Sequence, residues 1–164
     1  MQAVGVTQIR GCGDSASGAC DDLDAEGIAT GCTGDDTLLL VSTEGPARIL
    51  SLDRSSGAVR RDDDSSALLS GGEAVWAEGT LSGMRRNKML ESLSCGSDSG
   101  HPHLLFTGME NGADADGELP TLDSGAPTRI LAVDPTTGEL LRTVKYDLSH
   151  CRYADSDATG LVDV

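Results

Sequence analysis

The chain reads Leu38-Leu-Leu-Val-Ser-Thr-Glu44 and then Ala47-Arg-Ile-Leu-Ser-Leu-Asp53, and this stretch ends on the turn sequence Asp53-Arg-Ser-Ser-Gly57. Its short runs of Leu, Ile and Val lack a helical period and are separated by turn residues, which is typical of β-strands. Aspartate opens such a turn through its own side-chain hydrogen bonds, and glycine closes it at a positive φ angle. The stretch therefore predicts short antiparallel strands joined by tight turns.

This stretch, together with Leu23-Asp-Ala-Glu-Gly-Ile-Ala29 before it, is repeated in a second stretch that starts at Met89. Glu26 corresponds to Glu91 at an offset of 65 positions, and Glu44 corresponds to Glu110 at an offset of 66. An offset of 81 then relates Arg48, Asp53 and Gly57 to Arg129, Asp134 and Gly138. The jump in offset locates an insertion over residues 111–127, whose Gly, Asp and Pro content predicts a long surface loop.

The repeat predicts an all-β protein built as a propeller-like array of four-stranded antiparallel blades. One blade-like unit spans residues 23–61, a second spans 86–146, and a third starts near Ala158. Residues 1–22 form a Cys/Gly-rich segment before them. Two units and the start of a third predict an incomplete propeller, whose open sheet edges would favour self-association or a protein partner.

The charge and hydropathy of the chain exclude two classes of partner. With 12 Lys and Arg against 27 Asp and Glu, the net charge of −15 repels a phosphate backbone, and nucleic acid is not expected as a ligand. No apolar run approaches the roughly 20 residues of a membrane span. The segment Met1 to Arg10 is too polar for the apolar part of a signal peptide. We expect a soluble protein without an export signal in this chain, which leaves a secreted parent open.

Five cysteines leave at least one thiol unpaired or paired outside the chain. Three of the five fall within the first 32 residues, and their spacing matches no zinc pattern. Two alternatives stay open for these three, a disulfide within the group or small buried residues without a bond. The five positions are Cys12, Cys20, Cys32, Cys95 and Cys151.

The order of these signatures resembles the phytase-like family, also described by the esterase-like activity of phytase, which is a β-propeller family. The resemblance runs from about Leu23 to the end. It implies a propeller with repeated acidic residues, for which a phosphodiesterase or phosphatase-like activity has been proposed. The segments that carry it are Asp24-Ala-Glu-Gly-Ile-Ala29, Leu38-Leu-Leu-Val-Ser-Thr-Glu44, Asn87-Lys-Met-Leu-Glu-Ser-Leu93, Leu105-Phe-Thr-Gly-Met-Glu-Asn111, Arg129-Ile-Leu-Ala-Val-Asp-Pro-Thr-Thr-Gly138, Tyr146-Asp-Leu148 and Thr159-Gly-Leu-Val-Asp163.

The repeated acids are the candidate site residues, because a radial array would bring copies of one carboxylate together. Converging carboxylates need a counter-charge, which protons, Arg or Lys side chains, or a hard cation such as Ca²⁺ can supply. Glu26 and Glu91 are the catalytic candidates of a metal-dependent phosphoric ester hydrolase or a phosphate-ester binder. The candidate metal ligands are Glu44, Glu110 and Asp163, and the candidate phosphate-binding cations are Arg48, Arg129 and Lys88.

A structural interpretation of the same residues competes with the enzymatic one. Repeated acids in propellers also fix loops, by accepting backbone hydrogen bonds or by pairing with an arginine of a neighbouring blade. The alternative function is therefore a non-catalytic propeller that serves as a scaffold or a protein-binding module. The two hypotheses differ in whether the repeated acids converge or are used locally.

Overall fold

The computed structural model describes residues 24–43, 48–60, 85, 88, 90–121 and 124–148. Seven strands form two antiparallel sheets, and a 3₁₀ turn at Asp114–Asp116 is the single helical element of these residues. The first sheet has the order β1-β2-β3 and the second the order β4-β5-β6-β7. Their bounds are β1 Ala25–Thr30, β2 Leu38–Thr43, β3 Arg48–Asp53, β4 Ser94–Gly96, β5 Leu104–Gly108, β6 Ala126–Val133 and β7 Leu140–Leu148.

The all-β antiparallel fold is thus confirmed, whereas the propeller arrangement stays a prediction because the two sheets, as described, are open. Among the described residues, the first sheet has three strands, against the four expected over residues 23–61. The chain after the turn still pairs with β3: Val59 bridges Leu52, and the Arg60 N–H donates to the Ser51 carbonyl at 2.9 Å. The second sheet has the four expected strands. The predicted third unit near Ala158 lies outside the described residues, as does the Cys/Gly-rich segment 1–22.

The two predicted Asp-to-Gly turns have the same geometry. Asp53 Oδ1 accepts hydrogen bonds from the backbone N–H groups of Ser55 and Ser56, and Gly57 adopts a φ of 70°. In the second turn, the N–H groups of Thr136 and Thr137 donate to Asp134 Oδ1, and Gly138 has a φ of 75°. Each turn is also closed by a 2.8 Å bond from the glycine N–H to the aspartate carbonyl. The local sequence is therefore sufficient to specify both turns.

The two sheets share one hydrophobic core. The first sheet contributes Ala29, Leu40 and Ile49, and the second contributes a larger set of buried side chains. Strand periodicity explains the arrangement, because alternate residues of β2, β5 and β6 point to the face that the other sheet covers. The second sheet and its flanks contribute Leu90, Leu93, Leu105, Met109, Ala113, Leu131 and Val133.

A disulfide between Cys32 and Cys95 joins the two sheets, with 4.9 Å between the Cα atoms. Cys32 follows β1, and Cys95 is the middle residue of β4. The expectation of small unbonded residues was therefore wrong for Cys32, whose partner lies 63 positions away and outside the N-terminal group. Short sequence spacing cannot reveal a partner that only the packing of two sheets brings near.

The insertion is a surface loop over residues 114–119, most of which are exposed, but it differs from the prediction at both ends. Its first residues, Asn111, Gly112 and Ala113, are buried, and the 3₁₀ turn follows them directly. Strand β6 already includes the last two residues of the predicted loop. Within the described ranges, no helix is long and apolar enough to cross a membrane.

Candidate functional site

The segments that contain Glu26 and Glu91 lie side by side. A Cβ atom built on Gly27 would lie 2.5 Å from Leu93 N and 2.6 Å from the carbonyl carbon of Ser92. Only a glycine permits this approach of β1 to the chain before β4. Glu26 and Glu91 directly precede the touching residues Gly27 and Ser92. The structure therefore places the two candidate catalytic residues at neighbouring positions of adjacent chain segments.

Strand directions bring the remaining described candidates to the same end of the sheets, which we call the site end. The antiparallel order puts the starts of β1, β3 and β6 and the ends of β2 and β5 at one end of their sheets. Arg48 is the first residue of β3. Thr43, which directly precedes Glu44, is the last residue of β2. The bridge between Leu90 and Met109 extends the second sheet to Glu91 and Glu110. Glu44 and Asp163, two of the predicted metal ligands, lie outside the described residues.

Lys88 and Glu110 form an ion pair at the site end, with 2.6 Å between Lys88 Nζ and Glu110 Oε1. Both side chains are largely shielded from solvent, which strengthens their attraction relative to a surface pair. A predicted phosphate-binding cation and a predicted metal ligand thus neutralise each other. To bind a phosphate or a cation, either residue would have to share or exchange this partner.

Arg129 also has an acidic partner. Its Nε and Nη2 atoms donate to the two carboxylate oxygens of Asp116 at 2.7 and 2.9 Å, a bidentate arrangement. The Asp116 side chain is 9% exposed, and its Oδ2 also accepts the N–H of Ala113 at 3.0 Å. These hydrogen bonds, from Arg129 above all, hold the pKa of Asp116 below its ordinary value. Arg129 therefore anchors the insertion to β6.

Arg85 is a second anchor of the insertion. Its Nε donates to the carbonyl of Gly112 at 3.1 Å, its Nη2 donates to the carbonyl of Gly117, and its Nη1 lies 3.3 Å from Asp114. The sequence predicted Lys88 as a phosphate-binding cation and residues 111–127 as a surface loop, without relating the two segments. The opposite charges of these two segments are the sequence signal from which their contact could have been predicted.

Asn111 is a buried polar residue that the sequence did not single out. It follows Glu110, is 1% exposed, and its Oδ1 has no hydrogen-bond partner among the described residues. The hydroxyl of Thr107 is also buried and also has no hydrogen-bond partner among the described residues. Buried amide oxygens are normally satisfied by a donor or by ordered water. Asn111 therefore offers one buried acceptor at the position after Glu110.

The described carboxylates do not by themselves fit a calcium ion. Within the described ranges, no group of three or more His, Cys, Asp or Glu side chains is placed to hold a metal. Calcium needs six to eight oxygen ligands, and Glu110 is already paired with Lys88. The predicted calcium site therefore stays a prediction.

Comparison with known proteins identifies the family. A family model named Phytase-like, with the description esterase-like activity of phytase, matches residues 1–164, the whole chain. The chain belongs to the Phytase-like family. Neither a curated protein nor a solved structure matches this Phytase-like chain. The match agrees with the resemblance carried by the ordered sequence segments.

Replacement of Asp116 by asparagine is expected to lower the free energy of unfolding by about 2 kcal/mol at neutral pH, because it removes the largely buried carboxylate that accepts two hydrogen bonds from Arg129. Since the folded-state pKa of Asp116 is lowered, its contribution is complete above the unfolded value of about 3.9 and is lost as the pH falls through the folded value. The difference from wild type should shrink in acid. Urea unfolding at neutral and acidic pH measures it.

The matched control is Asp36→Asn, which removes the same charge from an exposed aspartate. It should change stability by less than about 0.5 kcal/mol. Equal losses in the two variants would contradict the anchoring role of Asp116.

Proposed function

We propose that this Phytase-like protein binds phosphate esters at the site end and hydrolyses them with Glu26 and Glu91 as its acid–base pair. The neighbouring placement of the Glu26 and Glu91 segments is the observation that carries the proposal, and the family match supports it. Glu26 is exposed and Glu91 is half-buried, so an ester could approach both from solvent.

Two carboxyl groups at one site can divide the proton transfers of hydrolysis. One carboxylate takes a proton from the attacking water, and the other carboxyl delivers a proton to the oxygen of the leaving alcohol. A chain with a net charge of −15 needs local cations to hold a phosphate. Lys88, Arg129 and Arg48 are the residues we propose for this, and Lys88 and Arg129 would exchange Glu110 and Asp116 for phosphate oxygens.

Calcium belongs to this proposal as a cofactor that Glu44, Glu110 and Asp163 would hold. Bound there, it would supply positive charge to the phosphate. Binding to the folded state alone would raise stability by about 2.7 kcal/mol at one hundred times the Kd. Calcium should therefore raise the melting temperature of the full chain, and a chelator should reverse the rise.

The competing function is a non-catalytic scaffold, and one observation favours it. Lys88 and Arg129 are each engaged with an acidic partner, as expected if the repeated charges fix loops. A scaffold needs neither hydrolysis nor calcium. Activity measurements on matched variants separate the two functions.

Hydrolysis of 4-nitrophenyl phosphate and bis(4-nitrophenyl) phosphate, with and without calcium, tests the proposal. Glu26→Gln and Glu91→Gln keep size and remove the proton-transfer group, so each should lower kcat by at least about a hundredfold. Glu139→Gln makes the same change at an exposed residue beyond the second turn and should retain full activity. Wild-type protein that hydrolyses neither ester, with a melting temperature indifferent to calcium, would favour the scaffold.

A further inference from the structure

The disulfide between Cys32 and Cys95 joins the two chain segments that carry the candidate catalytic pair. Cys32 follows Glu26 by six positions, and Cys95 follows Glu91 by four. Between these points, Gly27 packs against the backbone of Ser92 and Leu93. The bond therefore fixes the relative position of the segments on which Glu26 and Glu91 lie.

The two sulfur-bearing residues differ in exposure. Cys32 is 2% exposed and belongs to the core shared by the sheets, whereas Cys95 is exposed on the short strand β4. A thiolate attacks a disulfide at an accessible sulfur. The bond is therefore accessible to reductants at Cys95. At its other end, it holds Cys32 in the buried core.

Within the described residues, the other contacts between the two sheets are non-covalent. Strand β1 meets β4 over a short length, because β4 has only three residues. A bond that closes a loop across 63 positions restricts the unfolded chain strongly. Loss of the disulfide would therefore weaken the association of the two sheets more than the removal of one surface contact would.

We propose that the Cys32–Cys95 disulfide is a redox-sensitive lock that keeps Glu26 and Glu91 beside each other, so that the site is assembled only under oxidising conditions. The expected effect of the lock on activity rests on the proposed function, whereas its expected effect on stability rests on the fold alone. Reduction by a dithiol transfers two electrons and two protons to the bond, gives two thiols, and oxidises the dithiol to its cyclic disulfide. Such bonds persist in oxidising compartments, where this protein would then act.

The test uses the full chain with and without dithiothreitol. Peptide mapping under non-reducing conditions should recover Cys32 and Cys95 in one linked pair. Dithiothreitol should lower the melting temperature of the wild type by about 10 °C. The double variant Cys32→Ala/Cys95→Ala should already melt at the lower temperature and respond far less to the reductant. The control, Ser97→Ala, changes an exposed residue just after β4 and should behave like the wild type.

Hydrolysis provides the second arm. Displacement of catalytic groups by about 1 Å can cost about 10²-fold, so reduced wild type and the double variant should lose activity on this scale. Mapping that finds both residues as thiols, or a wild-type melting temperature unaffected by dithiothreitol, would overturn the lock. Activity unchanged by reduction would overturn its control of the site. Absence of hydrolysis in the oxidised protein would refute the proposed function instead, and the melting data would still decide the lock.

Discussion

Replacement of Gly27 by alanine is expected to destabilise the protein by about 3 kcal/mol or more. The added methyl would lie 2.5 Å from Leu93 N and 2.7 Å from Ser42 Oγ, both closer than van der Waals contact allows. Backbone atoms of the neighbouring segment cannot move aside as a flexible side chain can. Ser42 also accepts the Gly27 N–H at 2.8 Å, so the displacement would break a buried hydrogen bond. Urea unfolding monitored by circular dichroism measures the loss.

Gly100→Ala is the control for this variant. Its added methyl would meet its nearest atom, Asp98 Oδ1, at 3.6 Å, which is ordinary contact. We expect a change within about 0.5 kcal/mol, because the site is exposed. If Gly27→Ala were as stable as Gly100→Ala, the close approach of the two segments would be refuted.

Replacement of Leu131 by alanine is expected to cost about 3 kcal/mol, within the 2 to 5 kcal/mol typical of such a change. Leu131 lies in β6, is fully buried, and belongs to the core that both sheets share. Removal of its side chain leaves a cavity at the contact of the sheets and loses apolar burial. The change should lower the midpoint of urea unfolding.

The control for Leu131 is Leu119→Ala, because Leu119 is a leucine that is 40% exposed in the insertion. Its truncation should cost well under about 1 kcal/mol. Similar losses at the two positions would contradict a core shared between the sheets.

Features of the fold that depend on neighbouring residues could be predicted from the sequence. The turns at Asp53 and Asp134 are closed by their own aspartate and glycine, and the short apolar runs became strands. The strand count of the first sheet could not be predicted, because within the described residues the apolar segment after the first turn pairs with β3 only over residues 58–60. Strand extent depends on tertiary pairing as well as on local pattern.

The charged contacts of the candidate site were beyond sequence reasoning because they join distant positions. Lys88 and Glu110 are 22 positions apart, and Arg129 and Asp116 are 13 apart. The sequence shows that Lys88 is basic and Asp116 is acidic, but it does not indicate which basic side chain contacts which acidic side chain. The partner of Cys32 could not be predicted for the same reason, because Cys95 lies 63 positions away. The roles proposed for Glu44 and Asp163 stay predictions.

A double-mutant cycle on hydrolysis tests most directly whether Glu26 and Glu91 serve one phosphate-ester site. The kcat/KM values of the wild type, Glu26→Gln, Glu91→Gln and the double variant would be compared. Residues that act as one unit are not additive, so the double variant should be no slower than the slower single variant. Effects that multiply would show two independent roles, and a wild type no faster than the double variant would contradict the site itself.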